Sequence, residues 1–343
     1  MKPRRPRREP AWTRLDDEAL LDMRLCDLRL SLRSSGLDDA VRRLYDELRQ
    51  KGIRFRPHAW ISEEWFSPDG TPGIAIPFYL AHPRLQRLER HFMHEVEGGN
   101  DKWRMRILRH EAGHAIDTAF ALRRRKSWRE TFGKASRRYP ARYFPRPASR
   151  RFVLHLGHWY AQSHPTEDFA ETFAVWLQPK TRWRRDYAGW PALAKLEFVD
   201  GLMAELAGRA PSKRDRSFIA PLTDNNRTLR EHYRRRAYLS DGREQRYDSW
   251  LMRAFAPRRA AASSLSAERW LSEIKPQLTR TLLRRTGVHP YLAFQVLRAV
   301  RRRARSLDLV LRGSQREAVQ PVTRLHERAI ADLLRRNEET YFL

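Results

Sequence analysis

The stretch WRMRILRHEAGHAIDTAFA, residues 103–121, decides the fold of this chain. Its apolar side chains recur at the three- and four-residue spacing of an α-helix: Met105, Leu108, Ala112, Ala115, Ile116 and Phe120. Ile107 adds an apolar residue beside this stripe, so we predict a helix that is largely buried. Ionisable side chains on such a helix need partners, because burying a charge or a polar group without one is costly.

Within this helix, residues 110–114 have the pattern H-E-x-x-H. Positions four apart lie on one face of a helix, so the imidazoles of His110 and His114 can reach a single tetrahedral zinc ion. Glu111 lies beside them, within reach of a proton on water at that ion. A chance match has a probability on the order of a few per cent in a chain of this composition. The alternative is a pair of surface histidines, and the buried character of the helix favours the metal site.

A second stretch, HWYAQSHPTEDFAETFAVWL at residues 158–177, supplies candidates for the third protein ligand that a hydrolytic zinc site requires. Pro165 fits the first turn of a helix, with Ser163 or His164 as its cap. The helix is expected to end before Pro179.

Two acids on this second helix are one turn apart, Glu167 and Glu171, and therefore share a face. One of them can bind the metal while the other accepts the free N–H of a ligating imidazole. Asp168 is an alternative ligand, although the helical phase with Glu171 favours Glu167. An acidic, solvated helix face is the competing interpretation, and the apolar character of Phe169 and Phe173 argues against it.

These two segments resemble the gluzincin metallopeptidases, in particular the catalytic domain of anthrax lethal factor and bacterial zinc-binding metallopeptidases. The resemblance rests on residues 110–117 together with 167–173 and extends over about residues 55–200. It implies that Glu167 is the third zinc ligand and that Glu171 supports a ligating histidine. A tyrosine seven residues before the ligand assists the oxyanion in that family, and here this position is Tyr160.

The implied activity is endopeptidase hydrolysis of a protein or peptide substrate with one Zn²⁺ per chain. Glu111 would remove a proton from the attacking water and pass it to the leaving amine. Asp117, one turn past His114, would either support a ligand or simply lie near the helix end. His158 and His164 flank Tyr160, and we expect them in loop or capping roles.

An α+β fold that is mostly helical follows from the remaining pattern. Residues 73–80 are expected to form a strand, and Pro77 indicates that it lies at a sheet edge beside the H-E-x-x-H helix. By the resemblance, this edge would bind substrate backbone through strand addition. Residues 15–50 are expected to form two helices, residues 85–92 another, and the basic, aromatic segment 123–147 a loop.

Composition limits the environment and the partners. A net charge of +28, mainly from arginine, attracts nucleic acid or other polyanions, although a solvated surface rich in arginine is the plainer explanation. The single cysteine, Cys26, excludes an intrachain disulfide and favours a reducing cytoplasm. No apolar run is long enough for a membrane span, and the basic start has no apolar core typical of a secretory signal.

Changes in composition predict three parts: a basic flexible arm at residues 1–14, a zinc metallopeptidase domain at 15–208 and an Arg-rich helical extension at 209–343. A competing hypothesis is a basic protein that binds nucleic acid and whose metal site is structural or inactive. A third hypothesis combines the two as a protease of DNA- or ribosome-associated proteins. The sequence does not specify the substrate-binding residues or the oligomeric state.

Overall fold

The computed structural model describes residues 9–93, 96–139, 146, 149–244, 247–260, 265–286, 288 and 290–336. The described part is mostly helical and confirms the α+β class. Its α-helices are α1 Asp17–Leu21, α2 Leu32–Ser35, α3 Leu37–Gln50, α4 Pro83–Met93, α5 Asp101–Phe120, α6 Lys126–Phe132, α7 Pro165–Leu177, α8 Trp183–Asp186, α9 Ala192–Leu206, α10 Leu229–Glu244, α11 Asp248–Ala254, α12 Ala267–Thr286, α13 Pro290–Ser306 and α14 Gln315–Arg336. The strands are β1 His58–Ser62, β2 Gly73–Pro77, β3 Phe255–Pro257 and β4 Leu309–Leu311.

Backbone contacts divide the chain into two compact units, a first of residues 1–140 and 148–235 and a second of residues 141–147 and 236–343. The predicted three-part division stays a prediction. Residues 209–235 belong to the first unit, and Trp12 is buried there with its indole N–H donating to the carbonyl of Leu28 at 3.1 Å. Residues 1–8 lie outside the described part of the chain.

Helices α5 and α7, which the two stretches of sequence predict, pack against each other in the first unit. The Asn100 side chain caps α5 by accepting the N–H of Trp103, and His164 caps α7 ahead of Pro165. Gly113 lets the two helices approach closely: a Cβ atom there would lie 2.9 Å from the Cα of Ala170. A glycine inside H-E-x-x-H therefore brings the two helices within reach of a common site.

The small sheet of the first unit pairs β1 and β2 in parallel, with His58 opposite Gly73 and Ser62 opposite Pro77. Strand β2 is buried throughout and contacts α5. It ends at Pro77, and Phe78–Ala81 form a 3₁₀ turn, so the expectation of a strand to residue 80 was wrong. Proline has no N–H with which to continue the ladder. On the side away from β1, Ala75 forms a β-bridge with Phe66, so part of this edge is already paired within the chain. Binding of substrate backbone at this edge stays a prediction.

The segment predicted as a loop at 123–147 contains helix α6. Trp128 and Phe132, four residues apart, are buried against Phe169 of α7 with ring centroids at 5.8 and 5.5 Å. This packing stabilises a short helix whose surface is otherwise basic. Residues 140–145 and 147 of that segment lie outside the described residues. In place of the two helices expected over 15–50 there are three α-helices, of which α1 and α2 are short and α3 has 14 residues.

The second unit is a helical cluster with its own apolar core. Helices α11, α12 and α13 contact the antiparallel pair β3–β4, in which Phe255 is opposite Leu311, and α14 packs on these three helices. Trp270 and Phe255 are among its largest fully buried side chains. Among the residues the structure describes, no helix is both long and apolar enough to cross a membrane.

Candidate metal centre

Three side chains of α5 and α7 converge on one point. The Nε2 atoms of His110 and His114 are 3.2 Å apart. The Oε2 atom of Glu167 lies 3.1 Å from His110 Nε2 and 3.0 Å from His114 Nε2. His110 and Glu167 are buried while His114 is partly exposed, so solvent reaches the cluster at His114. The structure thus brings together the three residues that the sequence singled out as ligands.

Glu171 fixes the ring of His110 from the opposite side. Its Oε1 accepts from His110 Nδ1 at 2.8 Å, and its Oε2 accepts the backbone N–H of Leu156 at 2.8 Å. Because a carboxylate only accepts hydrogen bonds, Nδ1 carries the hydrogen and a neutral His110 presents the lone pair of Nε2 to the cluster. An acid that orients a histidine in this way is a frequent feature of zinc sites.

The electrostatics of the cluster favour a bound cation. Burial opposes a charged imidazole, but Glu167 and Glu171 outweigh it and raise the pKa of His110 well above its usual value. Burial also opposes an ionised Glu167, yet the two histidines lower its pKa well below the usual value. Lone pairs and a carboxylate in near contact repel one another unless positive charge lies among them. Two imidazole nitrogens and one carboxylate oxygen fit a divalent metal ion and are a donor set found at zinc sites.

Glu111 is buried next to this cluster. Burial raises its pKa, and the electrostatic influence of the neighbouring His110 and His114 opposes that rise. A carboxylate whose pKa lies above its ordinary value binds a proton more readily, which suits a general base.

Tyr160 lies in the 3₁₀ helix Gly157–Gln162, which leads into α7. Its ring centroid is 5.5 Å from that of His110. The preceding residue, Trp159, has a φ of 52°, a left-handed conformation that non-glycine residues adopt at a cost in energy. Burial and the nearby Glu167 raise the pKa of Tyr160 well above its usual value, so its hydroxyl keeps its proton at neutral pH.

Tyr139 contacts the site and was not expected from the sequence. Its hydroxyl donates to Glu167 Oε1 at 2.7 Å and lies 2.6 Å from Thr166 Oγ1. Its ring stacks on His164 with centroids 3.8 Å apart. The residue belongs to the segment interpreted as a loop, and no periodicity there links it to a helix 28 residues further along the chain. Only its aromatic type, in a segment between the two motifs, offered a signal.

The two remaining acidic residues of the prediction, Asp117 and Asp168, form ion pairs with basic side chains. Asp117 accepts the backbone N–H of Arg123 at 2.8 Å and its side-chain Nε–H at 2.6 Å, so support of a ligating histidine by Asp117 stays a prediction. Asp168, the alternative ligand, forms an ion pair with Lys195 at 2.5 Å.

The paired helices α5 and α7 bring together a His-His-Glu cluster that could hold a metal ion. Residues 101–182, which contain the whole cluster, match the model of a family described as "Putative zinc-binding metallo-peptidase". This match supports a metallopeptidase family for the segment. No curated protein and no solved structure matches the chain at a significant level.

Proposed function

We propose that this chain is a zinc-dependent endopeptidase in which His110, His114 and Glu167 hold the metal and Glu111 is the general base. The observation that carries the proposal is the convergence of three donor atoms on one point next to a buried glutamate whose pKa is raised. The family match over residues 101–182 supports the same class of enzyme. The resemblance to gluzincins, and to the catalytic domain of lethal factor among them, is part of this proposal.

Each residue has a distinct task in the reaction. Zinc, when bound, supplies Lewis acidity that lowers the pKa of water to about 7 and polarises a carbonyl group. Glu111 takes the proton of the attacking water and delivers it to the departing amine nitrogen. Tyr160 donates its hydroxyl hydrogen to the negative charge that develops on the substrate carbonyl oxygen. Glu171 keeps His110 in the tautomer whose Nε2 faces the cluster.

A substitution that keeps the shape of the general base but removes its charge tests the proposal. Glu111→Gln is expected to keep zinc, since Glu111 is not one of the ligands, and to lower cleavage of casein or a peptide library by a factor of about 10² to 10⁴. Glu130→Gln is the matched control, because Glu130 is an exposed glutamate of the same unit. Zinc per chain and cleavage rate are measured for the wild type and both variants.

The outcomes separate the hypotheses. Cleavage by the wild type and Glu130→Gln, with zinc but no cleavage in Glu111→Gln, supports the proposal. Equal cleavage in all three proteins would remove Glu111 from its role. A wild type that binds zinc and cleaves neither substrate would favour the alternative in which the metal site is structural or inactive.

A further inference from the structure

We propose that Tyr139 is a positioning residue that reserves one oxygen of Glu167, so that the carboxylate offers only its other oxygen to the metal. This inference rests on the proposed function, since it requires a metal held by Glu167. It assigns a task to a residue that neither sequence motif contains.

The two oxygens of Glu167 face different partners. Oε2 lies 3.1 and 3.0 Å from the Nε2 atoms of His110 and His114, within the cluster. Oε1 accepts the hydroxyl hydrogen of Tyr139 at 2.7 Å. The side chain is buried, so water does not compete freely for either oxygen. The geometry therefore separates a metal-facing oxygen from one that is hydrogen-bonded to the protein.

A short chain of hydrogen bonds holds the Tyr139 hydroxyl in place. His164 Nε2 lies 2.7 Å from the carbonyl oxygen of Arg137, which can only accept, so Nε2 carries the hydrogen of the neutral ring. His164 Nδ1 then accepts the backbone N–H of Thr166 at 3.3 Å, which leaves the single hydroxyl hydrogen of Thr166 for the Tyr139 oxygen. Thr166 Oγ1 in turn lies 2.6 Å from the Tyr139 hydroxyl. Because the carboxylate of Glu167 only accepts, Tyr139 is the donor in their bond.

Packing adds a second restraint on the tyrosine. The Tyr139 and His164 rings stack at 3.8 Å with an interplanar angle of 15°. His164 is itself anchored as the cap of α7, three residues before Glu167. The helix start, the stacked ring and the ligand carboxylate therefore form one connected group.

The consequence concerns the coordination of the metal. A carboxylate with two free oxygens can bind a metal through both, which would use the position that a hydrolytic site needs for water. A hydrogen bond from Tyr139 to Oε1 opposes that second contact and holds the side chain in the binding orientation. Partners of this kind typically change metal affinity by a factor of 10 to 100 when they are removed.

The test compares Tyr139→Phe with Tyr160→Phe in the full-length chain. Both substitutions remove only a hydroxyl, and we assign Tyr160 to the substrate rather than to Glu167. Zinc affinity is measured by competition with a chromophoric chelator, and coordination is followed through the visible absorption of the Co²⁺-substituted protein. We expect Tyr139→Phe to bind zinc about 10- to 100-fold more weakly and to show weaker Co²⁺ bands, as a higher coordination number produces. Tyr160→Phe should match the wild type in both measurements.

Thermal unfolding of the metal-free proteins separates positioning from folding. Tyr139→Phe should unfold close to the wild type, because the tyrosine is 45% exposed. Thr166→Val provides a second probe: it keeps the Tyr139 hydroxyl but removes the contact that orients it, and a smaller loss of affinity in the same direction is expected.

Wild-type affinity and an unchanged Co²⁺ spectrum in Tyr139→Phe would overturn the inference, even if cleavage fell. Neither measurement requires catalytic turnover, so both can be made on a wild type that binds zinc but cleaves nothing. That outcome would contradict the proposed endopeptidase activity and would leave the role of Tyr139 testable. A wild type that binds neither metal would overturn both.

Discussion

The two units of the chain bury different kinds of side chain. Among the described residues, the interior of the first unit contains many ionisable groups, and those of α5 and α7 are His110, Glu111, Asp117, Glu167, Asp168 and Glu171, with Arg109 beside them. In the second unit the buried acidic, basic and histidine side chains that the structure describes are Arg303, His326 and Asp332. Burying charge is unfavourable without compensation, and a concentration of buried ionisable groups on one helix pair is typical of a functional site.

Helices α12 and α13 of the second unit have exposed arginines on their outer faces. Arg280, Arg284 and Arg305 are exposed on α12 and α13, while the apolar faces of the same helices form the core. These helices therefore show the ordinary amphipathic pattern, whereas α5 and α7 carry polar and charged residues inside. The first unit therefore has an interior with many paired polar side chains, whereas the interior of the second unit is mainly apolar.

The largest expected difference between the units is in zinc content after a buried histidine is removed from each. His110→Ala should lower zinc from about one ion per chain to nearly none and abolish cleavage, because it deletes one of the three proposed protein ligands. His326→Ala, at a buried histidine of the second unit, should leave the zinc content at the wild-type level. The measurement is the number of zinc ions per chain in the purified proteins. Zinc retained at full stoichiometry in His110→Ala would place the metal elsewhere.

A pair of similar ion pairs sharpens the contrast in stability. Arg109 donates to both oxygens of Glu47 at 2.7 and 2.8 Å in the first unit, and Arg303 donates to both oxygens of Asp248 at 2.7 Å in the second. The exposed fractions of the side chains are 6% and 4% for the first pair but 9% and 35% for the second.

Neutralising the acid should therefore cost more in the first unit. Glu47→Gln leaves a buried guanidinium without its counter-charge and should lower the free energy of unfolding by about 3 to 5 kcal/mol. Asp248→Asn acts where solvent reaches the acid, and about 1 kcal/mol is expected. Urea unfolding of the two variants gives both values. Equal losses would contradict the idea that burial of charge distinguishes the units.

Local patterns predicted the helices that carry the site, and long-range contacts explain what was missed. The spacing of H-E-x-x-H and of Glu167 with Glu171 depends on one helical turn, so it can be read along the chain. Pro165 and the His164 cap were equally local signals. By contrast, Arg109 and Glu47 are 62 residues apart in sequence, and Tyr139 precedes Glu167 by 28. No periodicity encodes such pairs, which depend on how the helices pack.

The same distinction applies to the incorrectly predicted segments. Helix α6 has little helical pattern of its own, and it is stabilised by Trp128 and Phe132 packing on α7. Strand β2 was predicted too long because the apolar run continues after Pro77, although the residues that follow are buried in a 3₁₀ turn. Apolar character alone does not separate these two conformations.

The pH dependence of stability is expected to differ least between the two units. Burial lowers the pKa of His155 in the first unit and of His326 in the second from 6.5 to about 4. A depressed folded-state pKa contributes stability above the unfolded value of 6.5, and this stability is lost as pH falls toward 4. Each histidine should therefore cost the protein about 2 kcal/mol between about pH 7 and pH 5.

Glutamine at either position removes the titrating group and can donate to the carbonyl that the imidazole contacts, Arg106 for His155 and Val322 for His326. Urea unfolding of the metal-free chain at the two pH values should show a shallower pH dependence in His155→Gln and in His326→Gln, by similar amounts. Similar amounts are expected because the penalty arises from burial of the ring, which the two units share, and not from the acids around the metal centre. A shallower dependence in His155→Gln alone would mean that the polar interior of the first unit controls this titration as well.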